Sequence, residues 1–351
     1  MTSLSDETHR PVAQRARPTM RQVAKLAGVG LKTVSRVING EPNVSEATAA
    51  KVLEAVRALD YRPDIHAGNL RRSDHRTRTL GLLLGNVANP FSGAMHRAIE
   101  DAAGAHGTAV IAASLDDDPG RERGAIDSLL QRRVDGLILT TIEKSQSYLG
   151  AEQERGTPLV FVDREPSGIL ADSVVSDNAN GASLATAHLL AHGHRNIAFL
   201  GDKHEIYTAR ERKRGFLEEL GRAGLPVSAA PAVDDLTEED AARRALLRLL
   251  DGPTPPTAVF SAQNLLTIGA LRALRERGVH HDVALVGFDD IVLADLLEPA
   301  VTVVAQDPRA IGELAAERLF ARLSGDGTPE RVYTVPTTLI TRGSGEIAPR
   351  R

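Results

Sequence analysis

Two groups of side chains in this 351-residue sequence have types and spacings that could do chemistry. The first is a run of donors, Lys32, Thr33, Ser35 and Arg36, ending in Asn39 and interleaved with Val34, Val37 and Ile38. On a helix from Leu31 to Asn39 those apolar residues face inward and the donors point away. Lys and Arg suit the O6 and N7 edge of guanine, where a good bidentate contact discriminates by ~1–3 kcal/mol. The hydroxyls of Thr33 and Ser35 and the amide of Asn39 are better matched to phosphates, which position without specifying. The second group is scattered, but its members share one property: each follows an apolar, strand-like run. Asn86, Asn89 and Phe91 follow TLGLLL, Asp163 and Arg164 follow the apolar part of PLVFVD, Gln263 and Asn264 follow TAVFSA, and Asp289 follows VALVGF. Amides, carboxylates and an Arg fork around one aromatic ring suit a sugar, whose hydroxyls donate and accept; a purine-like ligand would stack equally well.

The rest of the composition narrows the chemistry. There is no Cys, which excludes disulfides, thiolate zinc sites and cysteine nucleophiles. No Ser-His-Asp, paired-carboxylate or phosphate-loop arrangement stands out, so an enzyme is not expected, and neither a cofactor nor a metal is called for. His192 and His194 have a metal-like look, but their HGH spacing sits at a helix-to-strand turn. The acidic run from Asp116 to Asp118 reads as a loop and the cap of the next helix. The net charge of −4 is unevenly placed: residues 1–79 carry 14 Lys and Arg against 8 Asp and Glu, a balance of +6, and the remainder stands at −10. A nucleic-acid module fused to an acidic regulatory domain has this asymmetry. The N-terminal stretch lacks a signal peptide's apolar core and no later run approaches the ~20 apolar residues of a membrane span, so a cytoplasmic, nucleoid-associated protein is expected.

The elements that must position these residues come next. Thr19 with Gln22 forms a capping-box start, and Val23, Ala24, Leu26 and Ala27 supply the apolar stripe of a first helix. Gly28 allows a tight turn into the Leu31–Asn39 helix. Ser45 caps a third, whose Val52, Ala55, Val56 and Leu59 repeat at helical spacing. Two helices joined by a Gly-bearing turn place the second in a major groove while the first crosses the backbone, so Leu31, Lys32 and Arg36 would meet base edges. Spacing alone leaves open a small helical bundle with a solvated basic face. Tyr61, Arg62 and Pro63 break the third helix, and a short segment from Ile65 to Arg71 follows, too short to survive as a helix by itself in water. A plain basic linker over residues 61–79 is the alternative reading. From Leu80 onward strand runs alternate with amphipathic helices, and a second such set begins at NIAFLG. This rhythm predicts two α/β lobes, each a parallel sheet with helices on both faces, and a cleft whose ligand lies beyond the carboxyl ends of the strands.

The run AGVGLKTVSRVINGEPNVSEAT, followed by LDYRP and by Ala67 and Leu70, resembles the headpiece and hinge of the lac/galactose repressor (LacI/GalR) family. The resemblance extends through VANPF, RRVDGLIL, VFVDRE, GHRNIAFLG, TARERKRGF, AVFSAQNLLTIGALRAL and VGFDDIVLADLLEPAVTVVAQDP. It implies an all-α helix-turn-helix headpiece plus an α/β two-lobed core of the periplasmic-binding-protein type. It also implies a disordered arm over 1–18, the headpiece over 19–63, a hinge helix and linker over 64–78, the core over 79–345 and a tail over 346–351. DNA contact would fall to Thr19, Leu31, Lys32, Thr33, Ser35, Arg36 and Asn39, with Ala67 and Leu70 in the minor groove, where Leu70 stands at the position of a wedging leucine. Asp163, Arg212, Gln263, Asp289 and Gln306 match effector-contacting positions; Asn89, Phe91 and Arg164 join them. Two departures stand out. Gly30 replaces the usual Ser at the N-cap of the second helix, a difference of a few tenths of a kcal/mol. AQN at 262–264 replaces AND, which removes a carboxylate. The implied function is sequence-specific transcription regulation, a repressor of a near-palindromic duplex operator, modulated by a small polar effector such as a sugar. The C-terminus lacks heptads, so a homodimer is expected. Rival readings are co-repression by a purine or a phosphoprotein, a solute-binding protein, and an enzyme.

Overall fold

The computed structural model describes residues 18–38, 41–62, 76–116, 118–227 and 230–350. The chain divides into two units, Met1–Thr77 and Arg78–Arg351, a boundary one residue earlier than the sequence placed it. Asn39 and the whole expected hinge helix from Ile65 to Arg71, with Ala67 and Leu70, lie outside the described residues.

In the first unit, α1 (Met20–Ala27), α2 (Leu31–Ile38) and α3 (Glu46–Ala58) close over a small core. The capping box forms as read: Gln22 N donates to Thr19 Oγ1 at 3.4 Å, and Thr19 N donates to Gln22 Oε1 at 2.7 Å. Gly28 takes the left-handed conformation (φ 67°) that turns the chain from α1 to α2. Val23, Val34 and Val52 are fully buried, with Ala55 and Tyr61 beside them and Val37, Ile38, Val56 and Leu59 packed around. One expected core residue is misplaced: Leu26 is 55% exposed. The stripe that faces the core is Met20, Val23, Ala24 and Ala27, at i, i+3, i+4 and i+7, and Leu26 lies off it. Ser45 caps α3 as expected, accepting from Thr48 N at 3.3 Å.

The second unit has two lobes. The first lobe holds β1 (Thr79–Leu84), β2 (Ala109–Ser114), β3 (Gly136–Leu139), β4 (Leu159–Val162), β5 (Asp172–Ser176) and β11 (Val332–Val335), with α4 (Pro90–Ala105), α5 (Glu122–Gln131), the short α6 (Gly150–Glu154) and α11 (Pro308–Leu323). The second holds β6 (Ile197–Leu200), β7 (Ala232–Val233), β8 (Ala258–Ser261), β9 (Ala284–Phe288), β10 (Thr302–Ala305) and β12 (Thr338–Ile340), with α7 (Asn178–Ala191), α8 (Tyr207–Arg222), α9 (Glu239–Leu250) and α10 (Asn264–Glu276). Among the described residues the sheet orders are β11-β5-β4-β3-β1-β2 and β12-β10-β9-β8-β6-β7. Both are the same doubly wound plan, with a reversal of strand order between β1 and β3 and between β6 and β8. Among the described residues every strand pair is parallel except β10 with β12, where the chain returns antiparallel, a departure from the all-parallel expectation.

The inner strands β1, β3, β4, β6, β8 and β9 are buried runs rich in Leu, Ile, Val and Phe, as sheets covered on both faces require, whereas the edge strands β2, β7, β11 and β12 are partly exposed. The lobes exchange chain three times: β5 leads through Asp177 into α7, β10 leads through Gln306 and Asp307 into α11, and β11 leads through Pro336 and Thr337 into β12. Because α11 packs on the first lobe and α7 on the second, each lobe is built from non-contiguous sequence.

The expected 346–351 tail does not start at 346. Glu346 accepts from Thr302 Oγ1 at 2.9 Å and pairs with His188 Nε2 at 2.8 Å. His194 Nε2 donates to Ile347 O at 2.7 Å, which leaves Nδ1 to accept from Thr257 Oγ1 at 2.9 Å. Burial pulls the His194 pKa down and keeps the ring neutral. His194 and His188 are therefore structural anchors for the C-terminal segment, while His192 Nδ1 donates to His188 O at 2.9 Å, and no group of His and carboxylates among the described residues could hold a metal. Asp118 caps a short 3₁₀ turn by accepting from Gly120 N at 2.9 Å, as its loop position implied. No helix among the described residues is long and apolar enough to cross a membrane.

Candidate functional site

The two lobes enclose a cavity of about 590 Å³, its mouth included, lined by residues just beyond the carboxyl ends of the strands. Seven of the eight expected effector residues meet there from the two lobes: Asn89 and Phe91 at the start of α4 and Asp163 and Arg164 after β4 from the first, and Arg212 on α8, Gln263 after β8 and Asp289 after β9 from the second. Gln306, the eighth, stands at the second crossing between lobes and also lines the cavity.

Asp163 and Asp289 occupy equivalent places in the two lobes. Both have left-handed backbones, φ 67° and 71°, a conformation that Asp adopts more readily than most side chains. Each donates its N–H across to the neighbouring strand: Asp163 to Val174 O at 3.0 Å, Asp289 to Val304 O at 2.8 Å. The strand therefore ends in a tight left-handed step that turns the carboxylate into the cleft. Burial pushes the Asp163 carboxyl above the ordinary carboxylate range, with the nearby Arg164 and Arg212 guanidiniums pulling against it. Gln306 Nε2 donates to Asp289 Oδ1 at 2.5 Å, while Gln306 Oε1 is buried without a protein partner.

Arg212 is 5% exposed and rigidly held. Its Nε donates to Asn178 Oδ1 at 2.7 Å and its Nη1 to Ala262 O at 2.8 Å, and its guanidinium lies 3.8 Å above the Phe288 ring. These bonds use two of the five guanidinium N–H groups and leave those on Nη2 and the second on Nη1 to other acceptors. The close approach of α7 and α8 that sets this geometry depends on Gly215, where a Cβ would overlap Ala179 O.

Several expected ligand residues also do structural work. Gln263 Oε1 accepts from Leu265 N at 2.9 Å and Leu266 N at 3.2 Å, so it N-caps α10. Asn89 Oδ1 caps α4 through Phe91 N and also accepts from Asn264 Nδ2 at 2.8 Å. That amide pair spans the lobes. Asn264, where the family pattern has a carboxylate, is thus a bridge between the two sides of the cleft. Asn86 lines the cavity, and its Oδ1 accepts from Ala88 N at 2.9 Å.

The sequence reading missed Ser92, Met95, Thr140, Asp202 and Thr208, all of which line the cavity. Thr140 and Asp202 end β3 and β6, and the rule that found Asp163 would have found them. Met95 lies one helical turn after Phe91 and Ser92 on α4, and Thr208 precedes Arg212 by one helical turn.

In the first unit, Leu31 (42% exposed) and Lys32 stand at the solvent face of α2, with Thr33, Ser35 and Arg36 half-buried beside them and Thr19 exposed at the start of α1. Arg36 Nε lies 3.7 Å from Glu41 Oε2 at the surface, a contact that water weakens and a competing anion can replace.

Comparisons with known proteins place this geometry. Residues 19–64 match the model for bacterial regulatory proteins of the lacI family, and residues 186–345 match a periplasmic binding protein-like domain. The ribose operon repressor of Escherichia coli is 33% identical over 93% of this chain and 99% of its own length. A lac repressor dimer bound to operator and an anti-inducer superposes with a TM-score of 0.83 at 27% identity, covering 94% of this chain and 99% of that one. A CelR–cellobiose complex is 32% identical with a TM-score of 0.68, covering 93% and 100%. Helix-turn-helix unit, two-lobed core and full-length similarity agree: the chain belongs to the lacI family of bacterial regulatory proteins and is a DNA-binding transcription regulator.

Proposed function

We propose that the chain is a homodimeric repressor whose hold on a near-palindromic operator changes when a neutral sugar occupies the interlobe cavity. The observation that carries this is the convergence of hydrogen-bonding side chains from both lobes at the strand ends, around the Phe91 ring. Three carboxylates, Asp163, Asp202 and Asp289, face two guanidiniums, Arg164 and Arg212, so the lining offers no surplus of positive charge for an anion. A polyol with alternating donors and acceptors matches it, and the similar CelR chain binds cellobiose.

On the DNA side, Leu31, Lys32 and Arg36 meet base edges and Thr19, Thr33 and Ser35 hold phosphates. Asn39, Ala67 and Leu70 belong to the same assignment by the family resemblance. The exposed apolar side chains of Val292, Leu293 and Leu296 (74%, 59% and 74%) lie close in sequence and support a second copy as partner, as in the similar lac repressor dimer. Its place of action is the cytoplasm, at the nucleoid.

Selection from a randomised duplex pool, followed by titration of the selected duplex with a sugar panel, tests this reading. The expected result is a palindromic consensus whose affinity falls about 5–150-fold with the correct sugar, the range of a ~1–3 kcal/mol coupling. A rise in affinity would assign co-repression, and no enrichment of any duplex would remove the proposal.

A further inference from the structure

The chain's own side chains reach across the cleft. Asn264 Nδ2, at the first residue of α10, donates to Asn89 Oδ1, just ahead of α4, at 2.8 Å. The Tyr207 hydroxyl, at the start of α8, donates to Glu165 Oε1, in the loop after β4, at 2.7 Å. Lys144 Nζ, after β3, stands 3.1 Å from Glu205 Oε1, after β6, and both side chains are more than half exposed. Water and salt weaken that ion pair, so it counts least. The amide pair is the most sheltered: Asn264 is 5% exposed, and a hydrogen bond shielded from water meets little competition.

Each amide of this pair has its orientation fixed by the helix that it begins. Asn264 Oδ1 accepts from Leu265 N at 2.8 Å, which turns its Nδ2 towards the facing lobe. Asn89 Oδ1 accepts from Phe91 N at 3.1 Å, which presents an acceptor in return. Position 264 must therefore supply a donor. The carboxylate that the family pattern has there cannot. It would set oxygen against oxygen, or oblige Asn89 to reverse its amide and give up the α4 cap.

We propose that Asn264, through Asn89, sets the resting closure of the cleft, with the Tyr207–Glu165 bond as a weaker second tie. The chain itself draws the lobes together, and an effector enters a conformation already favoured instead of creating it. Affinity for an effector that prefers closed lobes scales with the fraction already closed. Asn264, which is not among the residues lining the cavity, thus tunes the concentration at which the regulator responds. That regulatory consequence rests on the proposed reading of the cavity as the effector site; the tie itself is tested with no effector added.

The sequence has no Cys, so one spin label can be placed on each lobe through Asp127→Cys on α5 and Arg248→Cys on α9, both at exposed positions. Double electron–electron resonance is recorded on the dialysed full chain, diluted into excess unlabelled chain so that each label pair reports one copy. The parent shows one dominant distance. Asn264→Ala and Asn264→Asp raise the ratio of a second, open population to the parental one about fivefold or more, the scale of one lost sheltered hydrogen bond. Tyr207→Phe raises it less, and Lys144→Ala changes it less than about twofold. Asn264→Asp keeps the side-chain outline and the bond from Leu265 N, so a thermal melt near the parent's separates opening from misfolding. A parent already spread over several distances, folded variants at 264 that keep the parental distribution, or an effect of Lys144→Ala as large as that of Asn264→Asp would overturn the proposal and leave the reading of the cavity standing.

Discussion

The two units put function on opposite kinds of surface. In the helix-turn-helix unit the proposed reading side chains project from α2 with few commitments to the fold: Lys32 is exposed, and Arg36 shares only a surface ion pair with Glu41. In the two-lobed unit the cavity residues are already bound to the protein. Arg212 holds Asn178 and Ala262, Gln263 caps α10, and Asn89 joins α4 to Asn264. A groove reader can remain free because duplex DNA supplies the geometry on binding, whereas a ligand of a few polar groups needs its partners positioned beforehand. Substitutions in α2 should therefore alter binding alone, and substitutions in the cavity should alter binding and stability together.

The largest effect tests the cavity side. Arg212→Ala leaves Asn178 Oδ1 and Ala262 O buried without their donor, so chemical denaturation should show a loss of about 2–4 kcal/mol, and calorimetry should show a loss of sugar binding of about a hundredfold or more. Loss of binding with unchanged stability would break the contrast. On the other side, Lys32→Ala should cost ~1–3 kcal/mol of discrimination among duplexes in competition binding, with stability unchanged within about 0.5 kcal/mol. A destabilised Lys32→Ala protein would show that the reader is part of the fold after all.

A third, smaller effect concerns pH. The folded Asp163 carboxyl is raised above its unfolded value, so between those two values the folded state holds the extra proton. Its burial penalty is full above the raised value and disappears as pH falls towards the ordinary carboxylate range. Relative to the parent, Asp163→Asn should be more favourable to stability at neutral pH than at acidic pH, with the two denaturation profiles converging on acidification; parallel profiles would remove the role assigned to burial. The smallest effect is Gly30→Ser, where a Cβ would meet nothing within 4 Å. The restored cap should stabilise the helix-turn-helix unit by a few tenths of a kcal/mol in thermal melts and leave sugar binding untouched.

Much of this arrangement was legible in the sequence because it follows local rules. Apolar runs named the strands, and a polar residue after each run named the cavity wall, which is how Asp163, Gln263 and Asp289 were found. Leu26 was misread because it was counted with the stripe by hydrophobicity instead of by angle around the helix. What the sequence withheld was non-local. That Asn264 bonds Asn89 across 175 positions, that Gln306 turns onto Asp289, and that Glu346 and Ile347 finish the second lobe all depend on where the chain returns after long excursions.

The threefold exchange of chain has a consequence for any attempt to divide the core. β11 and β12 are neighbours in sequence, yet they supply an edge strand to different sheets, so a stop codon after α11 would strip both lobes at once. Neither half can be expressed as a contiguous fragment with its sheet complete. The same three tethers restrain the halves from sliding freely past one another and favour pivoting about the crossings, so whatever fills the cleft is read out chiefly as an angle.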